Sequence, residues 1–92
     1  MLNLLSMNVF ERKNSLLGIE FDRYVMEHPE FRERIPDNAH VILLIDGDEE
    51  FNEWSNQVGR KQAEDGQPII FITIKKLGQI HSRIKELEMV AK

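Results

Sequence analysis

Two apolar runs rich in β-branched residues constrain the fold of this chain most. They read His-Val-Ile-Leu-Leu-Ile and Ile-Ile-Phe-Ile-Thr-Ile, and neither alternates regularly between apolar and polar residues. That pattern is typical of strands covered on both faces. Between the runs lies a helical stretch of some 16 residues, with Asp48 as its N-cap and Gly66 as its stop. We therefore predict an α/β fold built on a right-handed βαβ unit, with parallel strands at about residues 40–46 and 69–75.

The segments on either side of this unit have helical spacing. A helix over residues 10–28 would place six residues on one core-facing arc: Phe10, Leu17, Phe21, Tyr24, Val25 and His28. Pro29 ends that helix and begins a short second helix that extends to Arg34. Near the C-terminus, Ile80, Ile84 and Leu87 have the spacing of a further short helix, and a third strand is the alternative.

The size of the chain limits how much it can bury alone. It has 92 residues and no cysteine, so no disulfide can brace it. We expect one domain over residues 1–92, with 1–6 as an irregular lead, 79–92 as a tail or short helix, and Met1 or Met7 as the start. For this mass, surface scaling predicts roughly 5,500 Å² of exposed surface in a compact monomer. Two strands form only a marginal sheet, so we expect a third strand in the tail or strand pairing across a subunit boundary.

Charge and hydropathy restrict the class of partner. The chain has 12 Lys and Arg against 16 Asp and Glu, a balance that disfavours a duplex-DNA binder. Its longest apolar run is far shorter than the roughly 18 residues of a membrane span, and the first residues lack a basic signal-peptide start. We therefore expect a cytoplasmic protein without a membrane partner.

Two stripes of residues exceed what a minimal core requires. One is an apolar line on the first helix, roughly opposite its core-facing arc: Leu16, Ile19 and Met26. The other lies beside the expected core stripe of the second long helix (Phe51, Trp54, Val58 and Gln62) and consists of Asn52, Asn56, Gly59 and Ala63. Small residues let another backbone approach closely, and glycine costs a helix about 1 kcal/mol relative to alanine. Both stripes are candidate association surfaces within or between chains, although scattered surface apolar residues and an ordinary polar flank would also account for them.

The carboxyl ends of the two strands form a candidate ligand edge. Parallel strands bring Asp46 and Asp48 close to Lys75 and Lys76, at the edge where open α/β sheets bind ligands. Two carboxylates could hold Mg²⁺, and a lysine with helix amides could hold a phosphate oxygen. Helix capping and strand-end solubility explain the same residues without a ligand.

Specific catalytic and cofactor motifs are missing from the sequence. There is no phosphate-binding Gly-x-x-x-x-Gly-Lys-Ser/Thr loop, no dinucleotide fingerprint and no nucleophile elbow. The three histidines, His28, His40 and His81, have no metal-ligand spacing. We therefore predict no cofactor and assign no catalytic residue.

Three short motifs resemble a small prokaryotic family of unknown function. They are His-Pro-Glu-Phe at residues 28–31, Ile-Pro-Asp-Asn-Ala at 35–39 and Ile-Lys-Lys-Leu at 74–77. The resemblance covers about residues 20–77 and implies a bacterial or archaeal cytosolic origin. It brings no activity, ligand or catalytic residue with it.

Three hypotheses about function follow. The leading one is a non-enzymatic α/β module that self-associates, with a dimer as the expected assembly. The first alternative is a phosphate-ligand or Mg²⁺-dependent binder or enzyme that uses Asp46, Asp48, Lys75 and Lys76. The second is an antitoxin-like regulator that binds nucleic acid or a partner through the basic segment from Lys75 to Lys85.

Overall fold

The computed structural model describes residues 8–91 of the chain. In order, its elements are α1 (Val9–Glu27), α2 (Pro29–Arg32), β1 (His40–Ile45), α3 (Glu49–Gln62) and β2 (Ile69–Ile74). The strands β1 and β2 pair in parallel, with Ile42 opposite Phe71. The predicted α/β class is confirmed, including the helix between two parallel strands.

Side-chain caps define where the two long helices begin. Asn8 precedes α1, accepts from the Glu11 N–H at 2.8 Å and donates to the Glu11 carboxylate at 2.7 Å. The first bond satisfies a backbone N–H that the helix end leaves free, and the second joins the two side chains. The Asp48 carboxylate accepts from the Phe51 N–H at 3.3 Å and begins α3, as its sequence position predicts.

The helix α3 ends earlier than its periodicity predicts. Its last residue is Gln62 and its C-cap is Ala63, whose N–H donates to the Gly59 carbonyl at 3.1 Å. Gly66 lies in the turn that follows, with φ +78°, a conformation that glycine adopts without steric cost. The chain therefore reverses through this turn before β2 begins.

The core is small and lies where α1 and α3 meet β1. Leu17 of α1, Leu43 of β1 and Phe51 of α3 form its buried centre, and Phe51 is completely inaccessible. Around them pack seven partly buried residues: Phe10, Phe21, Val41, Ile45, Trp54, Ile72 and Ile74. On the other side of the sheet Ile42 is only 2% exposed.

The second half of α1 extends past this core. The 19 residues of α1 span about 28 Å, whereas two strands form a sheet only about 5 Å from axis to axis. Tyr24, predicted to face the core, is consequently 47% exposed. His28, predicted on the same arc, caps the helix, and its ring stacks on Tyr24 with centroids 3.9 Å apart. The predicted core-facing arc is therefore correct at Leu17 and wrong at Tyr24.

Residues 75–91 contain neither helix nor strand. We call residues 79–91 the tail, and every residue in it is exposed. Its five large apolar side chains are among the most exposed of the chain: Ile80, Ile84, Leu87, Met89 and Val90. The C-terminal helix that the spacing of Ile80, Ile84 and Leu87 allows does not form, because a helix this short is marginal in water without tertiary packing of its apolar face.

The chain exposes more surface than its mass predicts. Its accessible surface is 8281 Å², against the roughly 5,500 Å² expected of a compact monomer. Its radius of gyration is 16.7 Å, against about 12 Å for a compact domain of this length. Among the residues described, no helix is both long and apolar enough to cross a membrane.

Candidate functional site

The carboxyl ends of the strands do bring opposite charges together. The Lys75 ammonium nitrogen lies 3.9 Å from a carboxylate oxygen of Asp46, and both side chains are largely exposed. Lys76 is the next residue and lines a groove beside β2. The predicted proximity of Asp46 and Lys75 is thus present as a solvent-exposed ion pair.

Asp48, the other acid of the predicted ligand edge, interacts with groups inside the domain. One of its oxygens accepts from the Phe51 N–H, and the other forms a short ion pair with Lys13 of α1. The Lys13 hydrogen bond, and after it the bond from Phe51, lowers the pKa of Asp48 below its ordinary value. Within residues 8–91 no three His, Asp or Glu side chains are placed to hold a metal ion together.

The outer edge of β1 is closed by side chains of α3. The Asn52 side chain accepts from the Ile45 N–H at 2.8 Å and donates to the Ile45 carbonyl at 2.7 Å. One turn later, the Ser55 hydroxyl donates to the Leu43 carbonyl at 2.8 Å, and Ser55 is buried. These side chains take the place of a neighbouring strand, so another chain cannot pair with β1 at these positions.

The outer edge of β2, in contrast to that of β1, is open within residues 8–91. The His40 N–H donates to the Pro68 carbonyl at 2.7 Å, and the Asp46 N–H donates to the Ile74 carbonyl at 3.0 Å. In a parallel pair, every second residue of a strand directs both its N–H and its carbonyl to the neighbouring strand. The residues between them, Phe71 and Thr73, direct their backbone groups away from β1. No strand within residues 8–91 pairs with β2 on that side. This open edge of β2 is the side of the sheet available for a further strand.

A groove of about 650 Å³ runs beside the open edge. Its floor is β2, and its opposite wall comes from the second half of α1 and from α2. Three aromatic side chains form that wall: Phe31 meets Phe21 edge to face at 6.3 Å and Tyr24 edge to face at 5.5 Å between ring centroids. Glu20 and Glu27 of α1 also line the groove. We call it the β2 groove.

The small-residue stripe of α3 packs within the chain. Gly59 is buried against β1, where a Cβ atom at this position would lie 2.6 Å from Cγ1 of Ile42. Gly59 therefore allows α3 to approach β1 closely. The other members have different roles: Asn52 closes the β1 edge, Asn56 accepts from Arg60 at 2.8 Å, and Ala63 caps the helix. The buried face of α3 runs through Phe51, Ser55 and Gly59, whereas Trp54 and Val58 of the predicted core stripe are half-buried and Gln62 is exposed.

The apolar line of α1 faces solvent in the isolated chain. Leu16 is 59% exposed, Ile19 is 50% exposed and Met26 is 80% exposed. Nothing within residues 8–91 covers them enough to bury them. They remain candidates for contact with another molecule.

The sequence did not single out the residues that shape the β2 groove. The sequence places Phe31 only in a short helix and predicts that Phe21 and Tyr24 face a core. The signal was the His-Pro-Glu-Phe motif, because Pro29 turns the chain so that Phe31 folds back on α1. Lys13 carried no comparable signal, since it meets Asp48 across 35 positions of sequence.

The fold and this surface define the chain as a small α/β domain with a parallel βαβ unit and one open sheet edge. It belongs to the DUF5647 family, described as a family of unknown function, whose model matches residues 8–87. The resemblance to a family of unknown function is therefore confirmed, and the match extends beyond residues 20–77 into the tail. Comparisons with curated proteins and with solved structures gave no match.

Proposed function

We propose that this chain is a non-enzymatic interaction module that associates with further copies of itself through the open edge of β2. The observation that carries the proposal is the difference between the two sheet edges. Asn52 and Ser55 bond to outward backbone groups of β1 at Ile45 and Leu43, whereas within residues 8–91 no strand lies beside the outward backbone groups of β2. An open edge strand is a template for pairing with another chain, so the difference selects β2 as the contact.

The exposed surface of the chain supports the same proposal. The accessible area exceeds that of a compact monomer by roughly half. Large apolar side chains contribute to the exposed surface, in the tail and along Leu16, Ile19 and Met26 of α1. Association would remove such surface from water, at about 25 cal/mol for each Å² of apolar area.

Light scattering with size-exclusion chromatography at micromolar concentration tests the proposal. We expect a mass of twice 10.8 kDa, that of a dimer. A strict 10.8 kDa monomer that melts cooperatively would contradict it.

A substitution in β2 tests which surface is used. Thr73→Pro removes an N–H that points to the open edge and leaves the β1 ladder intact, since that N–H takes no part in it. We expect it to raise the dissociation constant about a hundredfold, the equivalent of two hydrogen bonds of about 1.4 kcal/mol, one from each copy. Thr73→Val, which keeps the N–H, is the matched control and should associate as the parent does.

A second candidate function is a small-ligand site at the strand ends, favoured by the approach of Lys75 to Asp46. A phosphate oxygen would be recognised by Lys75 and Lys76, and Asp46 would contribute to a Mg²⁺ site. Thermal-shift measurements with inorganic phosphate and with Mg²⁺ test it. A shift that disappears in Asp46→Asn or Lys75→Met would support this role, and identical melting with and without either ion would discard it.

A further inference from the structure

We propose that the β2 groove of one copy is filled by the tail of a second copy, in a reciprocal exchange. This inference rests on the proposed self-association and adds the segment that makes the contact. It commits to a homodimer in which each tail lies along the open edge of the other subunit's β2.

The first argument is that the tail and the groove each lack a partner within residues 8–91 of the same chain. Ile80 is fully exposed, and Ile84 and Leu87 are 65% and 83% exposed. The β2 groove offers apolar and aromatic side chains together with the outward backbone groups of Phe71 and Thr73. One segment that is both extended and apolar would meet both needs, through main-chain bonds to the edge and side chains in the groove.

The second argument is the spacing of the apolar residues in the tail. Ile80 and Ile84 are four positions apart, so they lie on the same side of an extended strand. That side can face the aromatic wall formed by Phe21, Tyr24 and Phe31. The same spacing suits a helix, but a helix would leave the backbone groups of the open edge without partners.

The third argument is the size of the contact. Fourteen residues line the groove, and the tail has 13, so a reciprocal exchange engages 27 residues of each copy. Stable interfaces of standard size use about 20–30 residues on each side.

Mixing two variants of the full chain tests the exchange. Ile84→Asp places a charge among the apolar residues of the tail. Thr73→Pro removes an N–H from the edge that receives the tail. Alone, each variant should dimerise about a hundredfold more weakly than the parent chain, because it loses both equivalent contacts, each worth about tenfold. An equimolar mixture should regain dimer, because a heterodimer keeps one intact tail on one intact edge.

Controls and contrary outcomes separate this inference from the proposed function. His81→Asp adds the same charge on the other side of the tail and should dimerise as the parent does, and circular dichroism melts check that every variant folds. A dimer that tolerates Ile84→Asp but is weakened by Thr73→Pro would keep the self-association and overturn the tail exchange. Two weakened variants that do not rescue each other would also overturn it, because the tail would then lie on its own chain. A monomeric parent would overturn both.

Discussion

Asn52 bonds to both backbone groups of Ile45, accepting from its N–H at 2.8 Å and donating to its carbonyl at 2.7 Å. A side-chain amide has the same donor and acceptor as a peptide group, so it can replace the neighbouring strand that β1 lacks. Because Asn52 projects from α3, these bonds also fix the helix against the edge of the sheet.

Replacing Asn52 with alanine should destabilise the domain by about 1–3 kcal/mol, because it leaves the N–H and the carbonyl of Ile45 without these partners. Asn56→Ala is the matched control on the same helix, since Asn56 bonds only to Arg60 at an exposed position. We expect that control to change the free energy of unfolding by less than about 0.5 kcal/mol. Urea titrations measure both, and equal losses would refute the special role of Asn52.

Gly59→Ala should destabilise the domain although alanine is the better helix former. The new Cβ would overlap Ile42, which is buried and has little room to move. Overpacking typically costs about 1–3 kcal/mol, and the gain in helix propensity returns about 1 kcal/mol. We therefore expect a net loss of about 1 kcal/mol in the unfolding free energy.

A double-mutant cycle shows whether this overlap is the cause. Ile42→Ala removes Cγ1 and Cδ1, the two atoms that would lie 2.6 and 2.7 Å from the new Cβ. In that background Gly59→Ala should cost measurably less than in the parent. Additive effects of the two substitutions would exclude direct contact as the reason.

Neighbouring leucines on α1 should respond very differently to truncation. Leu17 is 4% exposed and packs on Leu43 and Phe51, so Leu17→Ala should cost about 2–5 kcal/mol. Leu16 is 59% exposed, and Leu16→Ala should change the unfolding free energy by less than about 0.5 kcal/mol. If Leu16→Ala also weakens association, the apolar line of α1 belongs to the interface. A small loss from Leu17→Ala would contradict the position of the core.

The Lys13–Asp48 pair should make stability depend on pH at the acid end. The pKa of Asp48 is lower in the folded chain than its ordinary value of 3.8, chiefly because Lys13 donates to the carboxylate. Its contribution is therefore complete above that ordinary value and is lost as the pH falls through the lower, folded value. Asp48→Asn should melt at a lower temperature than the parent at pH 7, and the difference should shrink as the solution is acidified.

The partner variant provides the check on that interpretation. Lys13→Met removes the principal cause of the lowered pKa of Asp48. Its melting temperature should therefore depend less on pH at the acid end than that of the parent, as we expect for Asp48→Asn. A difference between parent and Asp48→Asn that stays constant as the solution is acidified would contradict the lowered pKa of Asp48.

The sequence predicted the strands and their parallel pairing well, because the βαβ pattern is local and its topological rule is strong. It also located Asp48 as a cap and brought Asp46 near Lys75. It did not predict the position of Tyr24, because a helical wheel places residues on a face without telling how far the sheet beneath that face extends. The length of α1 exceeds the width of two strands, which only the assembled fold reveals.

The candidate surface was harder to predict than the fold. Asn52 was noted as part of a small-residue stripe, but its bonds to Ile45 depend on where α3 crosses the edge of β1. The ion pair of Lys13 and Asp48 joins two elements distant in sequence, and no periodicity marks such a contact. Apolar residues at 80, 84 and 87 suggested a helix, yet spacing alone does not supply the surface that would stabilise one.

The closure of one sheet edge has a consequence for how far assembly can proceed. A strand pair with two usable edges can add subunits without limit, as cross-β fibrils do. Within residues 8–91 one edge stays open, since Asn52 and Ser55 occupy the other at Ile45 and Leu43. Under the proposed association, growth along the sheet would end once two copies had met, and the two hydrogen bonds from Asn52 to Ile45 would limit polymerisation. Asn52→Ala would then be expected to form filaments in place of a closed pair.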